Sequence, residues 1–148
     1  MSKQRLAIAS DHAGFALKEF LVKNTPEVDW VDLGPANADR TDYPDYAARV
    51  AQDIESGKIP RGVLVCGSGI GMCIAANKFN GVRAAVVESE TSARLSRSHN
   101  DANVLCLGAR LIAPDYAKDI LQVWLGTPFE GGRHADRVKK ISKLEKKN

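Results

Sequence analysis

The most suggestive chemistry in the chain lies where a cysteine meets a run of glycines. An apolar stretch at residues 63–65 ends at Cys66, and Gly67-Ser-Gly-Ile-Gly71 follows before helix-forming residues resume at Met72. This order predicts a strand, a tight turn and the start of a helix. Glycines let backbone amides approach a ligand closely, and a helix N-terminus directs free N–H groups toward the same space. The stretch therefore favours an oxyanion bound beside a thiol.

Two interpretations of Cys66 stay open on its position alone. A free cysteine at the end of a strand is often an inert, buried small hydrophobe. The neighbouring helix N-terminus, however, favours a reactive thiolate. The glycine run itself lacks the Gly-Lys-Ser/Thr ending of a phosphate-binding P-loop and the Gly-x-Gly-x-x-Gly spacing of a dinucleotide site.

A second chemical loop follows the first predicted strand. Asp11 and His12 come directly after the apolar residues 6–10, and a helical pattern containing Phe15 and Leu21 follows them. Taken singly, Asp11 is also a plausible helix cap and His12 a solvated turn residue. Their adjacency at the carboxyl end of a strand, where open α/β sheets bind ligands, favours a functional role.

Other candidate groups are spread over the rest of the chain. Tyr43 precedes a helix and either packs against the protein or stacks on a ligand ring. Arg133 and Arg137 are four residues apart and therefore share one face of the predicted C-terminal helix. The polar run His99-Asn100-Asp101 follows a further predicted helix.

The elements that must position these groups alternate between strand and helix. Apolar runs predict strands at residues 6–10, 28–33, 63–65, 82–87 and 104–107. Helix starts are indicated by Asp42 with Pro44, by Thr91 as a cap, and by Pro114. The helix that begins at Thr91 leads toward His99. Gly126 and Pro128 are expected to end the helix that begins at Pro114.

Five strands that are too apolar to be half-exposed indicate a parallel sheet covered on both faces. We expect a three-layer, doubly wound, Rossmann-like α/β fold with a five-stranded sheet. The default strand order is 2-1-3-4-5, as in flavodoxin-like folds, and it places the Asp11 loop and the Cys66 loop on either side of one crevice.

Composition sets limits on this interpretation. The 148 residues are 44% hydrophobic, so we expect a single domain over residues 1–148. The net charge of +3 is too small to indicate nucleic-acid binding. Three cysteines without disulfide spacing suggest a reducing compartment, and the sequence shows neither a signal-peptide pattern nor a membrane-spanning run. We therefore expect a cytoplasmic protein.

Several motifs in fixed order resemble the ribose-5-phosphate isomerase B family and the related galactose-6-phosphate isomerase subunits. The resemblance extends from Ala7 to Ile141. Its motifs are Ala-Ser-Asp11-His12-Ala-Gly, Asp42-Tyr43-Pro44-Asp45, Cys66-Gly-Ser-Gly-Ile-Gly, Ser98-His99-Asn100-Asp101, Gly-Ala-Arg110 and Gly-Gly-Arg133-His-Ala-x-Arg137.

The resemblance implies an aldose–ketose isomerase that interconverts ribose 5-phosphate and ribulose 5-phosphate through a cis-enediolate, without metal or other cofactor. Cys66 would be the base, and His99 with Asp11 would assist opening of the sugar ring. The other implied site residues would hold the substrate. The enediolate would be bound by Ser68 and by the amides of Gly67, Gly69, Ile70 and Gly71. The phosphate would be bound by His12, Arg110, Arg133 and Arg137, and the sugar by Tyr43 and Asn100.

The resemblance also implies a homodimer with shared active sites, which can pair into a dimer of dimers, and a C-terminal helix that reaches the partner. In this partition one chain supplies Cys66 and Asp11, and the other supplies His99, Asn100, Arg110, Arg133 and Arg137. The sequence departs from family patterns at two positions. Many members have threonine where this chain has Ser68, and another branch has a glutamate base where this chain has Met72.

Four other functions share some of these sequence features. A galactose- or allose-6-phosphate isomerase differs only in a longer sugar, and the sequence separates the two poorly. A flavodoxin-like phosphate-binding module would not need both Cys66 and His99. A response-regulator receiver would need clustered acids beside Asp11. A metal enzyme is disfavoured because His12, His99 and His134 fall on separate loops without ligand spacing.

Overall fold

The computed structural model describes residues 2–146, so Met1, Lys147 and Asn148 lie outside the described part of the predicted domain. Strands and helices alternate through most of this range. The strands are β1 (Gln4–Ser10), β2 (Val28–Asp32), β3 (Arg61–Cys66), β4 (Ala84–Val86) and β5 (Val104–Gly108). The helices are α1 (Phe15–Asn24), α2 (Tyr43–Glu55), α3 (Ile70–Ala76), α4 (Glu90–Ser98), α5 (Pro114–Gly126) and α6 (Arg133–Ser142).

All five strands pair in parallel, and the predicted three-layer α/β class is confirmed. Alternate strand residues enter two separate cores. Leu6 and Ile8 pack on one face with residues of α1 and α5, whereas Ala7 and Ala9 pack on the other face with residues of α2 and α3. Cys66 belongs to the second face. The helices therefore cover both sides of the sheet.

The predicted strand order 2-1-3-4-5 is wrong in its last two positions. The observed order is β2-β1-β3-β5-β4, so β5 lies inside the sheet and β4 forms its edge. Burial gives the physical reason. All five residues of β5 are buried, whereas each of the three residues of β4 is only partly buried. The more completely apolar strand takes the position with two neighbours, and β1 and β3 remain adjacent as predicted.

Two helix starts also differ from the expectation. Ser89, rather than Thr91, caps α4, because its side chain accepts from the Ser92 amide and the Ser92 side chain bonds back to the Ser89 amide. Helix α3 begins at Ile70, two residues before Met72. Neither change moves the loops that carry the candidate site residues.

Helix α6 packs lightly on its own chain. His134 is its only buried residue within the described range, and Ile141 is 44% exposed. Beyond the helix, Leu144 is 84% exposed. Among the helices of residues 2–146, none combines the length and the apolar character needed to cross a membrane.

Candidate active site

Cys66 is the last residue of β3 and lies at the carboxyl edge of the sheet. Its side chain is buried, and the Gly69 N–H donates to its Sγ across 3.1 Å. That bond needs the turn to fold back on itself, and Gly69 does so with φ of +79°, a conformation that disfavours residues with a side chain. The glycine turn thus directs a backbone donor at the sulfur.

Ser68 and Tyr43 complete the wall beside the sulfur. The Ile70 N–H donates to Ser68 Oγ at 3.2 Å, so the amides of Gly69 and Ile70 both donate hydrogen bonds to side chains of the same loop. The Tyr43 ring lies over Gly71, and a Cβ added at Gly71 would come within 2.6 Å of that ring. Only glycine leaves room for Tyr43 to cover the loop.

Asp11 and His12 lie on the loop that follows β1, beside the Cys66 loop. The Asp11 N–H donates to the Val65 carbonyl at 3.2 Å, and its buried carboxylate accepts from the Gly14 amide at 2.9 Å. The His12 amide donates to Thr41 Oγ1 at 3.1 Å, and His12 Nδ1 lies 3.2 Å from the Thr41 carbonyl oxygen. Sequence reasoning missed Thr41, because no local pattern marks it as the partner of a histidine 29 residues away.

Arg110 lies in the same crevice as Cys66 of its own chain, which corrects the expectation that it would come from a partner. The Ala109 and Arg110 amides donate to the carbonyls of Cys66 and Gly67 at 2.8 and 3.0 Å. The guanidinium stands 3.3 Å from where a Cβ of Gly67 would be. The β3–β5 pairing, which differs from the predicted order, is what brings this loop to the Cys66 loop.

These loops enclose a crevice of about 380 Å³ at the carboxyl edge, the site crevice. It is lined by Asp11, His12, Ala13, Tyr43, Cys66, Gly67, Ser68, Gly71, Arg110 and Leu111. Leu111, with 59% of its surface exposed, was not predicted. The crevice holds a thiol, a carboxylate, an imidazole and a guanidinium, which suits acid–base chemistry on an anionic ligand.

The remaining predicted residues lie at the opposite, amino edge of the sheet. His99 and Asn100 follow α4 and precede Asn103, whose carbonyl accepts from Gly62 at the start of β3. Arg133 and Arg137 lie on α6, and the segment just before this helix is joined to the end of α4 by a bond from the Glu130 amide to the Ser98 carbonyl at 3.1 Å. We call His99, Asn100, Arg133 and Arg137 the distal group. A single chain does not unite it with the site crevice.

His99 stacks on His134, so these histidines are not separated as the sequence suggested. The ring centroids are 4.2 Å apart with 10° between the planes. Burial, followed by the charges of His99 and Arg133, lowers the pKa of His134, while Glu130 acts in the opposite direction. Ligand atoms of His99, Glu130 and His134 lie within 4.8 Å of one another. Each nitrogen lone pair lies in the plane of its own ring, however, and two nearly parallel planes about 4 Å apart do not let both lone pairs converge on a zinc ion at about 2 Å.

A larger cavity of about 680 Å³ lies away from Cys66, between β4 and the C-terminal segment. Its lining includes Asn100 of the distal group, together with Ile141 and Leu144. The cavity therefore borders the amino edge, and it contains neither the thiol nor the carboxylate of the site crevice.

The other two cysteines, Cys73 and Cys106, are joined by a hydrogen bond. All three cysteines are free, and Cys106 is fully buried in β5. A hydrogen bond from Cys106 lowers the pKa of Cys73 to about 7, and the same bond, together with burial, raises the pKa of Cys106 well above its usual value. Cys73 is half-buried in α3 and also contacts the Ala84 carbonyl at 3.4 Å.

Comparison with known proteins identifies the family. The family model described as Ribose/Galactose Isomerase matches residues 6–141. The chain belongs to this family. It is 45% identical over 146 residues to ribose-5-phosphate isomerase B of Escherichia coli strain K12, an alignment that covers 97% of this chain and 98% of that protein.

Solved structures of the family share the whole fold. The ribose 5-phosphate isomerase of Thermotoga maritima is 45% identical, with a TM-score of 0.92 over 95% of this chain and 99% of that one. Ribose-5-phosphate isomerase B of Mycoplasma genitalium, solved with bound ribulose 5-phosphate, is 41% identical, with a TM-score of 0.92 over 100% of both chains. The resemblance noted in the sequence motifs is thereby confirmed.

Proposed function

We propose that this chain catalyses the interconversion of ribose 5-phosphate and ribulose 5-phosphate. Membership of the isomerase family and the ribulose 5-phosphate bound to the Mycoplasma genitalium relative support the reaction. The observation in this chain that carries the proposal is the thiol of Cys66, which lines a crevice with Asp11 and Arg110.

Cys66 acts as the base in this proposal. Its thiolate removes the proton from C2 of the open-chain aldose, and the resulting cis-enediolate takes that proton back at C1 to give the ketose. The negative charge that develops on the enediolate oxygens needs donors already in place, because such preorganised donors contribute much of the catalysis in reactions of this kind. Ser68 and the backbone of Gly67 and Gly71, which line the crevice, are in position to supply them.

The phosphate is bound at a distance from the reacting carbons. Arg110 and His12 line the same crevice as Cys66, so they can bind the phosphate from one side. Arginine suits this role because its planar fork matches two phosphate oxygens. Binding energy from the phosphate then holds C2 of the sugar against the sulfur.

The separation of the two groups supports an active site shared between two copies of the chain. Strand β3 runs four residues from Gly62 at the amino edge to Cys66 at the carboxyl edge, a length of about 13 Å. His99 lies beyond the Gly62 end, so it cannot reach a sugar bound at Cys66 of its own chain. A second copy brings its His99, Asn100, Arg133 and Arg137 to the crevice.

The exposed C-terminal helix is consistent with such a dimer. Helix α6 buries only His134 on its own chain and carries both Arg133 and Arg137 on its surface. The exposed Ile141 and Leu144 offer apolar surface to a neighbour. The dimer can pair again into a dimer of dimers. Three free thiols suit the cytoplasm, where we place the enzyme.

An assay with three aldose phosphates tests the proposal. Purified protein is incubated with ribose 5-phosphate, allose 6-phosphate or galactose 6-phosphate, and ketose formation is followed with and without EDTA. We expect the highest kcat/KM with ribose 5-phosphate and no effect of EDTA, since every proposed group belongs to the protein. The Cys66→Ala variant serves as the control for contaminating isomerase. Absence of ketose from all three sugars would contradict the proposal, and preference for a six-carbon sugar would reassign the substrate.

A further inference from the structure

His134 and His99 form a stacked pair between two elements that are distant in sequence. The centroids lie 4.2 Å apart, and the planes differ by 10°. His99 follows α4 and is partly exposed, whereas His134 lies in the first turn of α6 and is only 6% exposed. The His134 amide donates to the Gly131 carbonyl at 3.0 Å, which fixes the backbone beneath the ring. The buried ring thus forms a flat support for the exposed one.

We propose that His134 is a positioning residue for ring opening, which holds the His99 imidazole in one plane and itself remains uncharged while His99 carries the transferred proton. This inference rests on the proposed function, in which His99 serves the furanose form of the sugar. His134 does not touch the sugar in this account and acts only through His99.

Opening of the furanose ring requires that one proton be carried by His99. During opening, the C1–O4 bond of the furanose breaks and its electron pair goes to O4, which takes a proton from the His99 imidazolium. The O1 hydroxyl proton passes to the Asp11 carboxylate of the facing chain as the C1 carbonyl forms, and exchange with solvent restores both groups. A second positive charge on the ring beneath His99 would oppose the protonated state that this step needs.

The groups around His134 keep it uncharged at neutral pH. Burial is the main cause of its lowered pKa, and the positive charges of His99, Arg133 and Arg137 lower it further. The Glu130 carboxylate, 3.5 Å from His134 Nε2, opposes them but is 60% exposed and therefore screened by solvent. A lowered pKa means that His134 becomes protonated only at pH values below the range usual for histidine, about 6.5.

Titration of the imidazoles tests the pair without any assay of activity. The chain has three histidines, so NMR signals of the labelled rings are assigned with His12→Asn, His99→Asn and His134→Phe. We expect His134 to remain mostly neutral at pH 6.5, to titrate at higher pH in His99→Asn, and at lower pH in Glu130→Gln. The His99 ring signals should shift in His134→Ala, which removes the stacked ring. A His134 that titrates as a free imidazole and ignores both substitutions would overturn the proposal.

Kinetics in the two directions then test the role. In His134→Ala the initial rate with ribose 5-phosphate should fall about 10- to 100-fold, less than the 10²- to 10⁴-fold of a complete acid–base contribution, because the His99 imidazole remains. The initial rate with ribulose 5-phosphate should fall less than about threefold, because its product leaves as the open-chain aldose and closes in solution. His134→Phe, which keeps a flat ring, should recover most of the loss, and its rate should not decline as the pH falls through the titration of His134.

The outcomes separate this inference from the proposed function. Equal losses in both directions, or no rescue by phenylalanine in a variant that keeps its circular dichroism and oligomeric state, would contradict the positioning role while leaving the isomerase intact. A wild-type protein inactive on both sugars would contradict the proposed function, and the titrations would still decide whether His134 stays uncharged beside His99.

Discussion

Cys66 and His99 lie at opposite edges of one parallel sheet. Cys66 pairs with Gly108 at the carboxyl end of β3 and β5. His99 lies shortly before Asn103, whose carbonyl accepts from the Gly62 amide at the start of β3. The family resemblance of the motifs implies that both residues serve one reaction. The two facts agree if the sugar binds between two chains, each of which contributes a different edge of its sheet.

The first prediction concerns the base. Cys66→Ala should lower kcat for ribose 5-phosphate by at least 10²-fold, because general base catalysis typically contributes 10² to 10⁴. Binding of a non-reacting sugar phosphate, measured by calorimetry, should change little, since Arg110 and His12 remain. The matched control is Cys73→Ser, which removes a half-buried thiol of α3 and should retain most activity. A Cys66→Ala enzyme that turns over normally would refute the role of the thiol.

The second prediction concerns the pH dependence of thiol reactivity. The pKa of Cys73 is lowered to about 7 by the hydrogen bond from Cys106. Because the thiolate is the reactive form, iodoacetamide labelling of Cys73 should increase as the pH rises through 7 and level off above it. Peptide mass spectrometry of Cys66→Ala protein measures the rate, and Cys66→Ala/Cys73→Ser is the control. A labelling midpoint near pH 8.5, the ordinary pKa of cysteine, would show that the hydrogen bond from Cys106 does not lower the pKa of Cys73.

The third prediction separates ring opening from isomerisation. His99→Asn should lower the initial rate with ribose 5-phosphate, which is mainly cyclic, far more than the rate with ribulose 5-phosphate. The ketose cannot close through its phosphorylated O5, so it needs no ring opening. Stopped-flow measurements from both sides give the two rates. Equal losses would mean that His99 is structural or takes part in the main proton transfer.

The fourth prediction uses the left-handed turn at Gly69. Alanine there should destabilise the fold by roughly 1–2 kcal/mol, because L residues disfavour this conformation. It should also reduce activity, since the Gly69 amide bonds Cys66 Sγ. Gly57 has nearly the same φ, +78°, and a Cβ there meets nothing within 4 Å. Gly57→Ala should therefore lose only the conformational part of that stability in urea unfolding and keep its kcat, whereas a Cβ at Gly69 would in addition lie 3.0 Å from the Leu107 backbone. Equal activity in the two variants would show that the hydrogen bond from the Gly69 amide to Cys66 Sγ does not contribute to catalysis.

Local sequence signals were sufficient to predict most of the fold. The apolar runs and the Pro44 and Pro114 helix starts located the strands and two of the helices within a few residues. The exchange of β4 and β5 was missed because strand order depends on relative burial across the sheet, which no single run reveals. The difference between a fully buried β5 and a partly buried β4 is a signal that could have found it.

The site was predictable where a motif carries its own geometry and not where the fold joins distant segments. The Cys66 loop and the Asp11 loop do line one crevice, as their positions at strand ends required. Thr41, Leu111 and the His99–His134 stack arise from contacts across 29 residues or more, or from exposed surface, and sequence spacing does not encode them. The assignment of Arg110 to a partner followed from the family resemblance, and the β3–β5 pairing brings Arg110 beside Cys66 of its own chain instead.

Complementation between inactive variants tests the shared site most directly. Mixed dimers of Cys66→Ala and Arg137→Ala chains pair an intact Cys66 with an intact Arg137 at one of their two sites. After random exchange, verified by co-purification of differently tagged chains, activity should recover to roughly a quarter of wild type.

The matched control replaces Arg137→Ala with Arg110→Ala. Arg110 lines the crevice beside Cys66 of its own chain, so neither site of a Cys66→Ala/Arg110→Ala dimer is intact and activity should stay at the level of the separate variants. Recovery in the first mixture and none in the second is the predicted result. Verified exchange with no recovery in the Cys66→Ala/Arg137→Ala mixture would contradict the account, because both groups would then serve the same chain.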